Sequence, residues 1–286
     1  MNPSRDLPIT VYTPESGLAH PLRLITALFL DLWRGRELAW RLFLRDLSAQ
    51  YRQTYFGYLW AVLPPLVTSL TFIFLNSQGI TRIESGSMPY AAFAMIGTLL
   101  WQVFVDALAS PSQSLLAAKS MLTKINFPRE AVLMGGLMMV AFHFMVRLLL
   151  LAAVMAWWRI PLGPELWWFV PAVAGLLLTG FAVGLAITPL AGLYGDFSRA
   201  IPILGGFWML LTPVVYPVRT EGLAGVLAIW NPVSPLIVTA RESLTAEALT
   251  MGGPALVVGA GAGGLALLGL LAFRLAMPHL IARMGG

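Results

Sequence analysis

Arg147 sits inside a long apolar run, and His143 precedes it by four residues. In a helix that spacing puts a guanidinium and an imidazole on one face. A charge in a membrane-length apolar segment is costly enough to count by default as a functional group, and a guanidinium there suits a passing phosphate or anionic glycan. The alternative is packing against a backbone carbonyl or snorkelling toward the interface. Asp106 is the one acid that falls within an apolar run, close to its cytoplasmic end. Counting depth along the two runs sets it well away from Arg147, so no ion pair is expected between them, and a lone acid does not make a proton relay.

Other chemistries lack their residues. The two lysines occur in "AAKS" (Lys119) and "LTKI" (Lys124), neither preceded by the glycine of a phosphate-cradling loop, so ATP hydrolysis by that route belongs to another chain. There is no cysteine, and His20, His143 and His279 are too scattered for a metal site. The acids are dispersed and no Asp-x-Asp pair occurs, which argues against a carboxylate-based enzyme on lipid-linked sugars. Neither a catalytic residue nor a cofactor or metal on this chain is expected, and no nucleic-acid partner.

The elements that would hold these residues begin with "RDLSAQYRQTYFGYLWAVLPP", Arg45 to Pro65, where a polar helix runs without a linker into an apolar one. From Glu37 to Arg52, Arg41, Arg45, Ser48 and Arg52 share one stripe, while Trp40, Phe43, Leu44, Leu47 and Tyr51 cluster on another flank. Such a helix lies in the headgroup layer or against a soluble partner, with Gly57 as the joint. Its arginines either bind anionic lipid and fix topology or serve a ligand.

AVILMFWYC residues make up 58% and DEKR only 11% of the chain, against roughly 45–50% and 25% in soluble domains, which marks a membrane protein. Apolar runs near the roughly 20 residues that cross a bilayer fall at about 57–79, 90–110, 131–157, 167–190, 200–217 and 254–275. Met1 to Pro21 does not read as a cleaved signal and is expected to stay in the cytoplasm. With both termini on that side, only Arg82, Arg159, Arg219 and Arg241 fall outside, as the positive-inside rule favours. Trp157, Trp158, Trp167 and Trp168 bracket a short outer turn as interfacial anchors.

Two connecting segments are unusual. Residues 218–253 are apolar and helix-like on both sides of Asn231–Pro232, each half too short to cross; they read as two short helices dipping into the outer leaflet, or as a surface-lying amphipathic segment. Between the second and third spans, Ser110 and Pro111 read as the start of a separate helix whose apolar face is Leu115, Ala118, Leu122 and Ile125, ended by "NFP". That helix is either a docking knob for a soluble subunit or a helical loop.

In combination these segments resemble the ABC-2-type polysaccharide export permeases, the membrane subunits of O-antigen, capsule and teichoic-acid exporters. An Arg-Asp pair, a Tyr-basic pair, a Gly, a Trp and a Pro recur there in the order of Arg45, Asp46, Tyr51, Arg52, Gly57, Trp60 and Pro64. "LTKINFPRE", "LYGDFSRAIPILGGFW", "TPVVYPV" and "NPVSPL" are similar to later segments, so that the resemblance covers about residues 20–280. The chain departs from the pattern in carrying His143 and Arg147 in the third span and in reading "YGDFSR" where a more basic Tyr-Arg-Asp is usual.

The resemblance implies an all-α membrane protein, one permease domain over 1–286: a cytoplasmic tail and interfacial helix to residue 56, a six-span bundle over 57–277, and a cytoplasmic tail over 278–286. It implies a homodimer in the inner membrane, two copies of a cytoplasmic P-loop ATPase supplying ATP and Mg, and a polysaccharide cargo often carried on polyprenyl diphosphate. It also leaves room for a periplasmic export partner. Residues 111–126, with Leu115, Lys119, Leu122 and Ile125, would couple to the ATPase; residues 219–249, with Trp230, Asn231 and Pro232, would form external gate helices. Because sugar C–H faces stack on aromatic rings, Phe93, Trp101, Phe104, Trp208 and Tyr216 are expected to line the channel, with Tyr58 and Trp60 at its entrance. Arg45, Arg52 and Arg147 are candidates for an anionic substrate or lipid phosphate. The alternatives are an ABC-2-type exporter of a drug or lipid, or a membrane-embedded glycan-modifying enzyme.

Overall fold

A computed structural model describes residues 21–52, 54–55, 57–81, 83, 88–124, 127–218, 222–245 and 248–284. The described residues form helices and connecting turns, with no strand among them. In chain order the α-helices are α1 (Pro21–Tyr51), α2 (Leu63–Ser77), α3 (Tyr90–Ala117), α4 (Lys119–Leu122), α5 (Glu130–Trp157), α6 (Phe169–Leu193), α7 (Gly195–Leu211), α8 (Gly222–Trp230), α9 (Val233–Leu244) and α10 (Gly252–Met284). Tight 3-10 turns at Gly57–Ala61 and Pro164–Trp168 lead into α2 and α6.

Of the six apolar runs, α3, α5, α10 and the segment Pro164–Leu193 are long and apolar enough to cross a bilayer. Most of their circumference is apolar, as helices buried in lipid and protein require, with polar exceptions that include Gln102 and Asp106 of α3 and His143 and Arg147 of α5. The other two runs fold as shorter helices, α2 with 15 residues and α7 with 17, or about 22 and 26 Å at 1.5 Å per residue. α2 starts late because Pro64 and Pro65 occupy its first turn, where a missing N–H costs nothing, and the residues before it are taken by the 3-10 turn. Gly57 takes a positive φ of 49° at the start of that turn. It is the joint at which the chain leaves α1, in a conformation glycine adopts without strain.

α3 is the central element, packed against α2, α5, α6, α7 and α9. The expectation of a separate helix starting at Ser110–Pro111 is corrected: α3 runs through Pro111 to Ala117, and α4 is a single turn beyond it. An internal proline needs room for its ring as well as a lost N–H. Gly184 on α6 supplies the room, since a Cβ there would lie 3.1 Å from Pro111 Cδ and press on the Leu108 carbonyl. Gly180, one turn earlier, lies in the same way against Phe104. Two small residues four apart thus let α6 lie backbone to backbone on α3, the close approach that stabilises helix pairs in lipid.

α1 does not lie apart from the bundle. It packs along the first half of α5, with Gly35 beside Ala131 and Gly135 against the Ala39 carbonyl. Ala39, Leu42 and Phe43 are buried there, while Arg41, Arg45 and Arg52 stay exposed. At the same end, Arg274 of α10 pairs with Asp31 of α1 at 2.6 Å and with Glu130 of α5 at 3.1 Å. α9 sits inside the bundle with all its residues buried between α6, α10 and the Pro164–Trp168 turn.

Gly184→Leu is expected to separate α3 from α6 and destabilise the fold by about 1–3 kcal/mol or more, the usual cost of overpacking. Gly264→Leu, where an added Cβ meets nothing within 4 Å, should leave the protein as it was. Melting temperature and monodispersity in detergent decide it; equal behaviour of the two variants would remove Gly184 from the packing argument.

Candidate functional site

Four segments converge on one polar cluster at the α1 end of the bundle. α3 contributes Gln102 and Asp106, one turn apart; α5 contributes His143 and Arg147, also one turn apart; α1 contributes Tyr51; the turn before α2 contributes the carbonyl of Ala61. Arg147 Nη1 lies 2.7 Å from Asp106 Oδ2, and its Nε donates to Ala61 O at 3.0 Å. Gln102 donates to Asp106 Oδ1 at 3.0 Å. His143 Nδ1 stands 3.3 Å from Asp106 Oδ2, and its Nε2 stands 2.9 Å from the Tyr51 hydroxyl.

These contacts set the proton positions. A carboxylate can only accept, so in the neutral imidazole Nδ1–H donates to Asp106 and Nε2 accepts from the Tyr51 hydroxyl. Burial holds the Tyr51 phenol above its ordinary value, with the Arg147 charge pulling the other way and Asp106 adding to the rise. Tyr51 therefore remains a hydroxyl donor at neutral pH.

The expectation that Asp106 and Arg147 stay apart is corrected. It assumed a span ending near residue 110, whereas α3 continues to Ala117 and so carries Asp106 well inside the bundle, within reach of the long arginine side chain. Arg147 is only 4% exposed and already engaged. Of the two local arrangements open from sequence, the carbonyl contact is present, at Ala61 O.

A recess of about 390 Å³ opens beside the cluster between α1, α3, α5 and α7, and Trp60, Asp106, His143 and Arg147 line it. Tyr58 and Trp60 are exposed, and Tyr58 also touches Tyr51 and Phe142. Arg45 is exposed and bonded to the neighbouring Asp46, and Arg52 is exposed.

The remaining candidates lie away from this cluster. Phe93, Trp101 and Phe104 are buried in the main core, Trp101 and Phe104 against Trp208. One face of Phe93 is covered by the guanidinium of Arg241, 3.9 Å from the ring centre. Tyr216 is partly buried and donates to Leu210 O. Trp230 and Pro232 are exposed, whereas Asn231 is buried and joins three segments: its Oδ1 accepts from Trp208 Nε1 and from the Val233 N–H, and its Nδ2 donates to Thr212 Oγ1 at 2.8 Å.

Leu115 and Leu122 point inward, into a core with Leu42, Phe181 and Phe273. The exposed residues of the same segment include Lys119, Ser120, Thr123 and Lys124. Ile125 lies outside the described residues. Sequence reasoning missed Tyr51, Gln102 and Arg241 as members of polar contacts; the four-residue spacing of Gln102 and Asp106 was the available signal for one of them.

Removing one partner of a buried pair costs about 3–5 kcal/mol, whereas replacing both with apolar groups is often neutral. Arg147→Leu and Asp106→Leu are each expected to lower the melting temperature in detergent sharply, and the double variant to recover much of the loss. Additive losses in the double variant would show that the two side chains act independently.

The sequence profile of the ABC-2 type transporter family matches residues 37–244, from α1 to the end of α9. The chain is 23% identical over 201 residues to an O-antigen export system permease protein RfbA of Klebsiella pneumoniae, covering 69% of this chain and 76% of that one. It is 25% identical over 215 residues to the protein of the same name from Myxococcus xanthus, covering 72% of this chain and 80% of that one. The matched stretch holds the whole polar cluster, and it places the chain in the ABC-2 type transporter family as the membrane subunit of a transporter rather than an enzyme.

Proposed function

We propose that this chain is the channel-forming permease of an ATP-driven exporter that passes a polysaccharide, such as an O antigen or capsular polymer, across the cytoplasmic membrane. The observation that carries this reading is the family match over residues 37–244 together with relatives named O-antigen export permeases along about 200 residues of it. Two copies of the chain form the channel, and two copies of a cytoplasmic P-loop ATPase supply ATP and Mg. The α1 end faces the cytoplasm, with both termini there, and a periplasmic partner receives the polymer.

The geometry supports a division of labour. Lys119, Ser120, Thr123 and Lys124 are exposed polar residues just after α3 and are assigned to ATPase docking. Displacement there reaches the channel wall because Leu115 and Leu122 seat the same segment in the bundle, and because Tyr51 and the Ala61 carbonyl tie α1 and the start of α2 to α5. α8 and α9 act as the external gate, with Trp230 on the exposed side and Asn231 and Pro232 at the break. Exposed Tyr58 and Trp60 meet the polymer at the entrance, and Arg45 and Arg52 meet a polyprenyl diphosphate in the headgroup layer. Phe93, Trp101, Phe104, Trp208 and Tyr216 stiffen or line the wall.

Affinity purification of the tagged chain from its native host in mild detergent tests this reading. Mass spectrometry should find a stoichiometric P-loop ATPase and a polyprenyl-linked glycan, and the ATPase should be lost from the Lys119→Glu/Lys124→Glu variant. A solitary chain without ATPase or glycan would overturn the proposal; an ATPase retained by the variant would move docking to another surface.

A further inference from the structure

The recess beside the cluster is lined by a polar stripe on an otherwise apolar helix. Gln102, Asp106, Ser110 and Gln113 or Ser114 recur every three to four residues along α3, so one face of this span carries amides, a carboxylate and hydroxyls from its centre to the α1 end. Polar groups within an apolar span need polar partners, and Gln102 and Asp106 find theirs in the cluster. Ser110 is buried, and its hydroxyl has no hydrogen-bond partner among the described residues although it borders the recess. Gly136 on α5 faces it: a Cβ there would stand 2.7 Å from Ser110 Oγ and nearer still to Ser114 Oγ, so the glycine keeps space open beside both hydroxyls.

The charge of the lining selects the ligand. Asp46 and Asp106 both contribute to it, along with Gln50, Gln102 and Gln113. Its one guanidinium, Arg147, is held by Asp106 and by the Ala61 carbonyl. Each carboxylate is already paired, Asp106 with Arg147 and Asp46 with Arg45, both at 2.7 Å, so an anion would find among the described lining residues no unengaged guanidinium to offset the loss of its hydration. A neutral ring bearing hydroxyls finds acceptors in the carboxylate and amide oxygens, donors in the amides and serines, and an apolar face in the exposed indole of Trp60. A volume of about 390 Å³ falls in the range of small-ligand sites, about 300–1,000 Å³.

We infer that this recess receives uncharged, hydroxyl-rich sugar rings of the exported polymer and discriminates against rings that carry a carboxylate or phosphate. The inference rests on the polysaccharide-export reading and adds the charge class of the cargo.

Two measurements separate the fate of the inference from that of the reading. Deleting the gene in the native host should remove a surface glycan, and composition analysis of that glycan should find neutral sugars. A missing glycan rich in uronate or phosphate would overturn the inference and leave the export reading standing; a surface glycan unaffected by the deletion would overturn both. In the second, the purified permease–ATPase complex in nanodiscs is probed by saturation-transfer NMR with a linear mannose tetrasaccharide and a linear galacturonic acid tetrasaccharide. The mannose probe should receive saturation and the galacturonate should not, and the signal should be lost in Gly136→Leu and weakened in the less disruptive Ser110→Ala/Ser114→Ala. Equal transfer to both probes, or a mannose signal indifferent to both variants, would sink the assignment.

Discussion

A charge buried among apolar helices must find an opposite charge and polar partners close by, and in this protein the pair Asp106–Arg147 meets that demand for the whole α1 end. Each side chain is tied further: the carboxylate to Gln102 and His143, the guanidinium to the Ala61 carbonyl. Because the partners come from α3, α5 and the turn before α2, satisfying the pair fixes the relative positions of three segments. Tyr51 extends the network through His143 to α1. Hydrophobic attraction between helices is weak in lipid, so such directional contacts carry more of the specificity than they would in water.

The rest of the bundle depends on close approach. Gly180 and Gly184 bring α6 onto α3, Gly175 lies against Gly259 of α10, and Gly97 meets the backbone at Val214 where α7 has ended. These glycines make α3 and α6 a compact pair against which the other helices are built. α10, by contrast, has much of its surface outside the bundle, and its firm polar attachment is at one end, where Arg274 meets Asp31 and Glu130. Rigid centre and polar clasps at the α1 end together couple any movement of α1 to the start of α5.

Much of this was legible from residue order. The apolar runs, the break at Asn231–Pro232 and the glycine joint at position 57 follow from local periodicity and backbone chemistry, whereas Leu115 and Leu122, an apolar face that the sequence offers to a partner, are turned into the bundle. Pairing across helices does not. Depth counting along the apolar runs separates Asp106 from Arg147 because it ends the span near residue 110; α3 instead continues through Pro111, whose ring is accommodated by Gly184 on α6, more than seventy residues away in sequence. The surroundings of the aromatic candidates were hidden for a related reason. Helical spacing identifies a face, but whether Phe93, Trp101 and Phe104 look into a channel or a core depends on which helix lies opposite, and here α7 and α9 cover them.

Two short apolar helices, α2 and α7, explain the placement of the two most deeply buried arginines. α2 and α7 stop short of the length that would carry regular hydrogen bonding through a bilayer, so irregular backbone follows or precedes them at depth. Unsatisfied carbonyls there would cost several kcal/mol each in hydrocarbon, on the order of the burial penalty for any unpaired polar group. Arg147 donates to the carbonyl of Ala61 before α2, and Arg241 donates to the carbonyls of Pro213 and Val214 after α7. Each guanidinium is in turn stabilised locally, one by Asp106 and the other over the ring of Phe93. The helix that starts late and the helix that ends early are thus the ones clasped by arginine, and a movement that changes where α2 begins or α7 ends must first release that clasp.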